Sequence, residues 1–304
     1  MSNQPLISIV MPSYNQGGFI EAALDSILEQ DWKHLEVIVQ DGGSTDATLA
    51  LLEAKSRADK RVRWKSAPDR GPADAINKAL SRVRGTYVGW LNSDDCYAPG
   101  ALSRVVRAFT QHPQWMMCYG EGEYIDSYGD TMGRYPTLPD TSRRGVKYLK
   151  AYPVPGINAF QQGCFICQPC VFFKAVMPML IGNLNTHLAA SFDFDYWLRA
   201  FKAFEGRIGF LPDVQAYSRL HEETITHNQR SQVMLEGMQS LHHHLGCTST
   251  TWVLSYLQEQ RETGMSEPAL AQQMERLLPT IQPLLNQYQW QALTKKLASL
   301  HVDK

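Results

Sequence analysis

In "VGWLNSDDCYAPG", residues 88 to 100, an apolar run breaks into Asn92, Ser93, Asp94 and Asp95. Adjacent carboxylates repel one another. A solvated turn rich in Asn, Ser and Asp is one reason to find them together. A hard divalent cation is the other: Mg²⁺ takes one or two carboxylates and completes its shell from substrate phosphates. Two acids are too few to hold a metal alone, but enough for one that arrives on a diphosphate. There it would neutralise charge building up on a departing nucleoside diphosphate. Asp41, in "VIVQDGGSTDAT", poses a similar choice. It can cap the helix that follows, or accept a hydrogen bond from a nucleoside, as carboxylates at parallel-strand ends do.

The elements that must position these residues are legible as alternating periods. "LISIVMP" (6–12), "LEVIVQ" (35–40), "RVRWKSA" (61–67) and "TYVGWL" (86–91) are strand-length apolar runs. Between them lie helical patterns: Phe19, Ile20, Ala23, Leu24, Ile27 and Leu28; then "DGGSTDATLALLEAKSR", with Thr45 or Asp46 as N-cap; then "GPADAINKALSRV". Pro99-Gly100 opens a further helix, "ALSRVVRAFTQ". Strand–helix alternation predicts a mostly parallel sheet covered by helices, with ligands beyond the carboxyl ends of the strands. Tyr14-Asn15, Asp41, Asp69-Arg70 and Asp94-Asp95 follow four successive strands, so all fall on that edge. Turn chemistry alone does not explain four such clusters.

Further on, "MMCYGEGEYIDSYGD" predicts a strand and hairpin, 136–160 an extended loop, "FICQPCVFFKAV" a strand and "FDFDYWLRAFKAF" a helix. From about 228 the sequence turns Gln- and Leu-rich with helical spacing, which places a domain boundary between 1–227 and a helical extension, 228–304.

The 304 residues carry a formal net charge of −1, which argues against a nucleic-acid surface. The amino terminus lacks the basic start and longer apolar stretch of a secretory signal, and "VFFKAVMPMLIG" is cut by Lys174 and Pro178. Together with six cysteines, these features lead us to expect reduced thiols and a cytoplasmic protein. Neither G-x-x-x-x-G-K-[ST] nor a G-x-G-x-x-G after a strand occurs, so a ligand bound like ATP or NAD is not expected.

Five segments, "VMPSYN", "VQDGGSTDAT", "DRGPADAINKAL", "GTYVGWLNSDD" and "FDFDYWLR", together resemble the family 2 nucleotide-sugar glycosyltransferases over roughly residues 5 to 226. The resemblance implies a GT-A (Rossmann-like) fold and inverting transfer of a hexosyl or N-acetylhexosaminyl group. The donor would be a nucleoside-diphosphate sugar, UDP-linked, and the acceptor a hydroxyl in a cell-surface glycan, polysaccharide or lipid-linked oligosaccharide. It places Pro12, Tyr14 and Asp41 around base and ribose, and Arg70 and Asp74 along the nucleotide and sugar. Asp94 and Asp95 then correspond to the metal-binding DXD region for Mn²⁺ or Mg²⁺, with His221 near the diphosphate or metal. Asp193 is implied as general base, with Asp195 as the alternate. A carboxylate is useful there because a sugar hydroxyl is a poor nucleophile until its proton is taken. The chain departs from the family at Asn92, where an acid usually opens the DXD. Asn can bond a sugar or a metal-bound water but supplies less negative charge. It departs again at Phe192, which leaves Asp193 in a more apolar surround that would raise its pKa.

Other motifs compete. Cys164, Cys167 and Cys170 have C-x₂-C-x₂-C spacing, but the fourth cluster ligand is missing and buried thiols are expected. His242, His243 and His244 point in different directions on a helix and are expected on a solvated face. A sugar-phosphate nucleotidyltransferase would need a basic Gly-rich loop after the first strand, which "MPSYNQGGF" does not supply. A non-catalytic sugar-nucleotide-binding protein would have no need of Asp94, Asp95 and Asp193. The amphipathic stretches of 269–300 leave open a homodimer contact, or peripheral attachment to the inner face of the membrane.

Overall fold

The computed structural model describes residues 4–138, 154–222, 224 and 229–300. The chain divides into two compact units. The first comprises Met1–Gly156, Phe165–His187 and Ala200–Glu222; the second comprises Ile157–Cys164, Leu188–Arg199 and Glu223–Lys304.

In the first unit the expected alternation is found: β1 (Ile7–Ser13), α1 (Ile20–Leu28), β2 (Leu35–Asp41), α2 (Thr48–Ala58), β3 (Val62–Ser66), α3 (Pro72–Leu80) and β4 (Tyr87–Trp90). β1 pairs in parallel with β2 and β4, and β2 with β3, which brings Ser13 beside Asp41 and Asp41 beside Ser66. Every residue of β1 and β2 is buried, which explains why they read as continuous apolar runs rather than alternating ones. α1 buries Ile20, Ala23, Leu24, Ile27 and Leu28, the stripe its spacing predicts. Each large apolar side chain of that stripe contributes about 1.5–3 kcal/mol of burial.

β5 (Cys96–Tyr97), α4 (Ala101–Gln111), β6 (Met117–Ile125), β7 (Thr131–Arg134), β8 (Phe172–Lys174), α5 (Met177–Ile181) and β9 (Ile208–Arg219) complete this unit. The sheet order is β3-β2-β1-β4-β8-β6-β9-β5, with β7 on β6. β4–β8, β6–β8 and β5–β9 are antiparallel and β6–β9 is parallel. The strand expected over "FICQPCVFFKAV" is shorter than predicted. Pro169 sits in a 3-10 turn, Gln168–Cys170, and only Phe172–Lys174 joins the sheet. Of the expected loop 136–160, residues 139–153 lie outside the described residues, and Ile157–Gln162 is a 3-10 helix.

α6 (Phe192–Ala203) begins in the second unit and ends in the first. The second unit also holds α7 (Arg230–Leu245), α8 (Thr251–Glu262), α9 (Glu267–Ile281) and α10 (Gln287–Leu300). Met234, Met238, Val253, Tyr256, Leu257, Leu270, Met274, Ile281 and Leu293 form its core. No helix among the described residues is long and apolar enough to cross a membrane.

Candidate functional site

At the carboxyl ends of β1 and β2 two loops are fastened together. Asn15 N–H donates to Ser44 Oγ at 2.7 Å, Gln16 N–H to Thr48 Oγ1 at 2.9 Å and Gly17 N–H to Asp46 Oδ2 at 2.8 Å; Thr45 N–H returns to Asn15 Oδ1 at 2.9 Å. Asn15 adopts φ +52°, a left-handed conformation that Asn tolerates better than most residues. Asp46 also accepts Thr48 N–H at 3.0 Å, so it steadies the start of α2 from two residues before it.

Asp41 is fully buried. Oδ2 accepts Gly43 N–H and Ser44 N–H, both at 2.9 Å, and Ser66 Oγ at 2.6 Å, while Oδ1 accepts Ser44 Oγ at 2.5 Å. Its carboxylate therefore shapes its own turn. Next to it, Ser13 Oγ is buried without a hydrogen-bond partner among the described residues. Pro12 is buried and Tyr14 is 60% exposed.

The loop after β3 packs on the loop after β2: a Cβ on Gly42 would meet Asp69 Oδ2 at 2.9 Å. A larger residue there would have to push the Asp69 carboxylate aside. Asp74, in the first turn of α3, meets Lys78 Nζ at 2.9 Å and the Arg70 guanidinium at 3.3 Å. The Lys78 hydrogen bond, then Arg70 against the opposing effect of burial, hold its carboxyl down to about 2. Arg70 keeps most of its side chain exposed.

After β4, Asn92, Asp94 and Asp95 separate into distinct roles. Asn92 is a strut. Its Oδ1 accepts Trp90 Nε1–H at 3.0 Å, and its Nδ2 donates to Asp95 Oδ2 at 3.3 Å and Gln168 Oε1 at 3.0 Å. Gln168 in turn donates to Trp90 O at 2.8 Å. Asp95 is buried, and Oδ1 accepts Arg219 N–H at 2.8 Å. Burial and the neighbouring Asp94 charge push its carboxyl well up. Asp94 turns outward and meets His221 Nε2 at 3.1 Å. Arg219 holds the turn from behind: Nε donates to Asp94 O at 2.8 Å, and one amino group donates to Asp126 O at 2.8 Å. Its guanidinium lies 5.1 Å from the Phe19 ring, and His221 lies 4.7 Å from the same ring. Among the described residues no three His, Cys, Asp or Glu side chains gather as a metal cluster. Asp94 and His221 are the two donors that fit a cation completed by phosphate oxygens.

The second unit carries the other two acids. Burial raises the Asp193 carboxyl to about 6, with the Glu236 charge adding to it and hydrogen bonds from Phe194 and its own backbone opposing it. Asp195 goes the other way. Burial alone would raise it, but the hydrogen bond to His244 and the charge of Arg199 outweigh that and lower it. The contacts are 2.7 Å to His244 Nε2 and 2.9 Å to Arg199. The solvated face expected of the three histidines holds for exposed His243 alone. His242 contacts Leu284 O at 3.2 Å, and His244 is half-buried against Asp195. Cys167 and Cys170 are buried, with Gly122 packed on both sulfurs.

Asp94 and His221 thus meet in the first unit, with the Asp41 turn and the Asp74–Arg70 pair at neighbouring strand ends. Asp193 belongs to the second. Sequence reasoning missed Arg219, Gln168, Ser13 and Glu236. Arg219 is the last residue of β9, two before His221, and both side chains lie against the Phe19 ring. Gln168 was masked by the cysteine pattern. Glu236 interrupts "VMLEGM", an acid inside an apolar helical stripe.

A sheet of this order, with acids at its parallel strand ends, is that of the GT-A fold. Residues 8–167 match the family model described as glycosyl transferase family 2, and the chain belongs to that family. The match takes in Asp41, Asn92, Asp94 and Asp95 and stops before Asp193 and His221. An uncharacterised glycosyltransferase of Rickettsia conorii is 30% identical over 219 residues, 72% of this chain and 34% of that protein. The chain thus spans about a third of the length of that relative. Among solved structures, S. aureus TarS 1–349 in complex with UDP-GlcNAc superposes with a TM-score of 0.62 at 19% identity, over 78% of this chain and 67% of that one. The mannosyltransferase PcManGT from Pyrobaculum calidifontis, in complex with GDP-Man and Mn²⁺, gives 0.57 at 17% identity, over 96% and 84%. At these identities the likeness is one of fold.

Proposed function

We propose that the chain moves a hexosyl or N-acetylhexosaminyl group, with inversion, from a UDP-linked sugar to an acceptor hydroxyl of a glycan or lipid-linked oligosaccharide. The observation that carries this reading is the opposite treatment of two acids on one helix turn. Groups whose surroundings push their pKa values apart mark an acid–base assignment. Asp193, raised to about 6, is poised to take a proton near neutral pH. Asp195, paired with His244 and Arg199, is not. As the acceptor oxygen attacks the anomeric carbon, its proton passes to Asp193 and the bond to the diphosphate breaks on the opposite side.

The first unit would receive the nucleotide. Tyr14 is exposed for stacking, and Ser13 Oγ is a buried donor in want of an acceptor. Asp41 shapes the loop, and Asp74 aims Arg70 toward phosphate or sugar. Asp94 and His221 would hold Mn²⁺ or Mg²⁺, whose bound charge stabilises the departing diphosphate. Asp95 and Asn92 fix the turn beneath them. The UDP-GlcNAc complex of TarS supports a UDP donor by analogy, and the GDP-Man complex of PcManGT sets the alternative to test.

A thermal-shift and donor-hydrolysis screen of UDP-, GDP- and dTDP-sugars, with Mn²⁺ or EDTA, tests the proposal. Metal-dependent turnover of a UDP-sugar is expected. Absence of stabilisation by every nucleotide would overturn it.

A further inference from the structure

The segment that leads into α6 is held by one carboxylate. Ala189 N–H donates to Glu236 Oε1 at 2.9 Å, and Ala190 and Ser191 N–H donate to Oε2 at 2.9 and 2.8 Å. Gln232, one turn earlier on α7, donates to Oε1 at 2.8 Å, and Ser191 Oγ donates to Val233 O at 3.1 Å. Eight residues along α7, His244 grips Asp195 at 2.7 Å. The helix therefore holds residues 189–195 at two points about 12 Å apart along its axis. Glu236 is only 3% exposed, among buried Met234, Gly237 and Met238. Among the described residues no basic side chain pairs with it. Burying an anion without a cation is costly, and here four donors offset it. A shorter cap on the 189–191 segment itself would serve a purely structural need with less desolvation, so the distant charge invites a second use.

We propose that Glu236 is a positioning residue for Asp193: by fixing 189–191 it sets where the Asp193 carboxyl points, and it keeps a negative charge beside it. The proposal rests on the reading of Asp193 as general base. Glu236 is also the charge that acts on Asp193 from another helix, after burial itself, in raising its carboxyl. Asp195, the other acid on this turn, is balanced by Arg199 and His244. The C-terminal helices thus become part of the catalytic apparatus, since the residue that steadies the base belongs to them.

The test compares full-length wild type, Glu236→Gln and Asp193→Asn. The Asp193 carboxyl is titrated by ¹³C NMR in aspartate-labelled protein, with Asp193→Asn supplying the assignment. In Glu236→Gln the Asp193 midpoint is expected to fall by at least about half a unit. An unshifted midpoint would overturn the proposal. Should that variant fail to fold, Glu236→Asp keeps the charge but shortens the reach. Its Asp193 midpoint is expected to stay high while amide exchange at 189–191 quickens about tenfold; unchanged exchange would count equally against it. Nucleoside diphosphate release from UDP-, GDP- and dTDP-sugars separates the two ideas. Wild-type release rates in Asp193→Asn would remove the base reading and with it the role of Glu236. An inactive Asp193→Asn beside an unshifted midpoint in Glu236→Gln would remove the Glu236 proposal alone.

Discussion

His244 Nε2 lies 2.7 Å from Asp195 Oδ1, and this contact separates two acids that the sequence presents as near equals. With Arg199 on its other oxygen at 2.9 Å, Asp195 is locked as an anion. Asp193, two residues earlier, has no such cation among the described residues and is raised by burial to about 6.

That difference has a stability signature. Asp193 binds its proton more tightly in the folded state, at about 6, than in the unfolded state, near 3.8. Between these values the fold holds more protons than the unfolded chain, so stability falls as pH rises through the window, and the cost is complete above it. Asp193→Asn removes the cost. It is expected to gain about 1–3 kcal/mol over wild type at pH 7.5, after allowance for partial exposure. The gain should vanish near pH 4. Urea melts across this pH range measure it.

Asn92 donates to the Asp95 carboxylate and to Gln168. In Asn92→Asp the restored acid would face a buried carboxylate at the distance where a donor now stands. A loss of about 1–3 kcal/mol is expected, the cost of an unsatisfied buried polar contact. It should be larger at pH 8 than at pH 5, where the introduced carboxyl, if protonated, could still donate. Thermal melts of the variant at both pH values check this.

Asp74 is held down to about 2 by Lys78 and Arg70. Its contribution is present above the unfolded value near 3.8 and is lost as pH falls toward 2. Both partners are substantially exposed, so screening limits it to about 1 kcal/mol. Asp74→Asn should therefore lose about 1 kcal/mol at pH 7. Freeing Arg70 should raise the donor KM severalfold with little change in kcat. Melts and steady-state kinetics read the two effects.

Asp94 Oδ2 and His221 Nε2 meet at 3.1 Å and are the proposed metal ligands. EDTA is expected to abolish donor turnover, and Mn²⁺ to restore it. In Asp94→Asn and His221→Ala the Mn²⁺ concentration for half-maximal rate should rise at least about tenfold, since even outer-shell partners of a metal are worth that much. A titration of rate against Mn²⁺ decides it.

The sheet was legible because β1 and β2 are buried on both faces, and continuous apolar runs of that length admit few alternatives. The helices α1 and α3 were equally plain, with apolar spacing and Pro72 at a start. The division of labour at the site was not legible. "NSDD" does not say that Asp95 faces Arg219, 124 residues away, or that Asn92 reaches Gln168. Such pairings are set by how strands stack, and local sequence carries no record of them. The same holds for Glu236, whose partners are backbone N–H groups that almost any residue type supplies. Its one trace is an acid inside the short apolar run "VMLEGM" of α7.

The most direct measurement is the rate of sugar transfer by Asp193→Asn and Asp195→Asn, with donor affinity determined alongside. Asp193→Asn should bind donor like wild type and lose at least about a hundredfold in transfer, the usual scale for a general base. The wild-type rate should fall below a limb near pH 6. Asp195→Asn should keep that limb. Near wild-type transfer by Asp193→Asn, or a limb that persists in it and is missing from Asp195→Asn, would contradict the assignment.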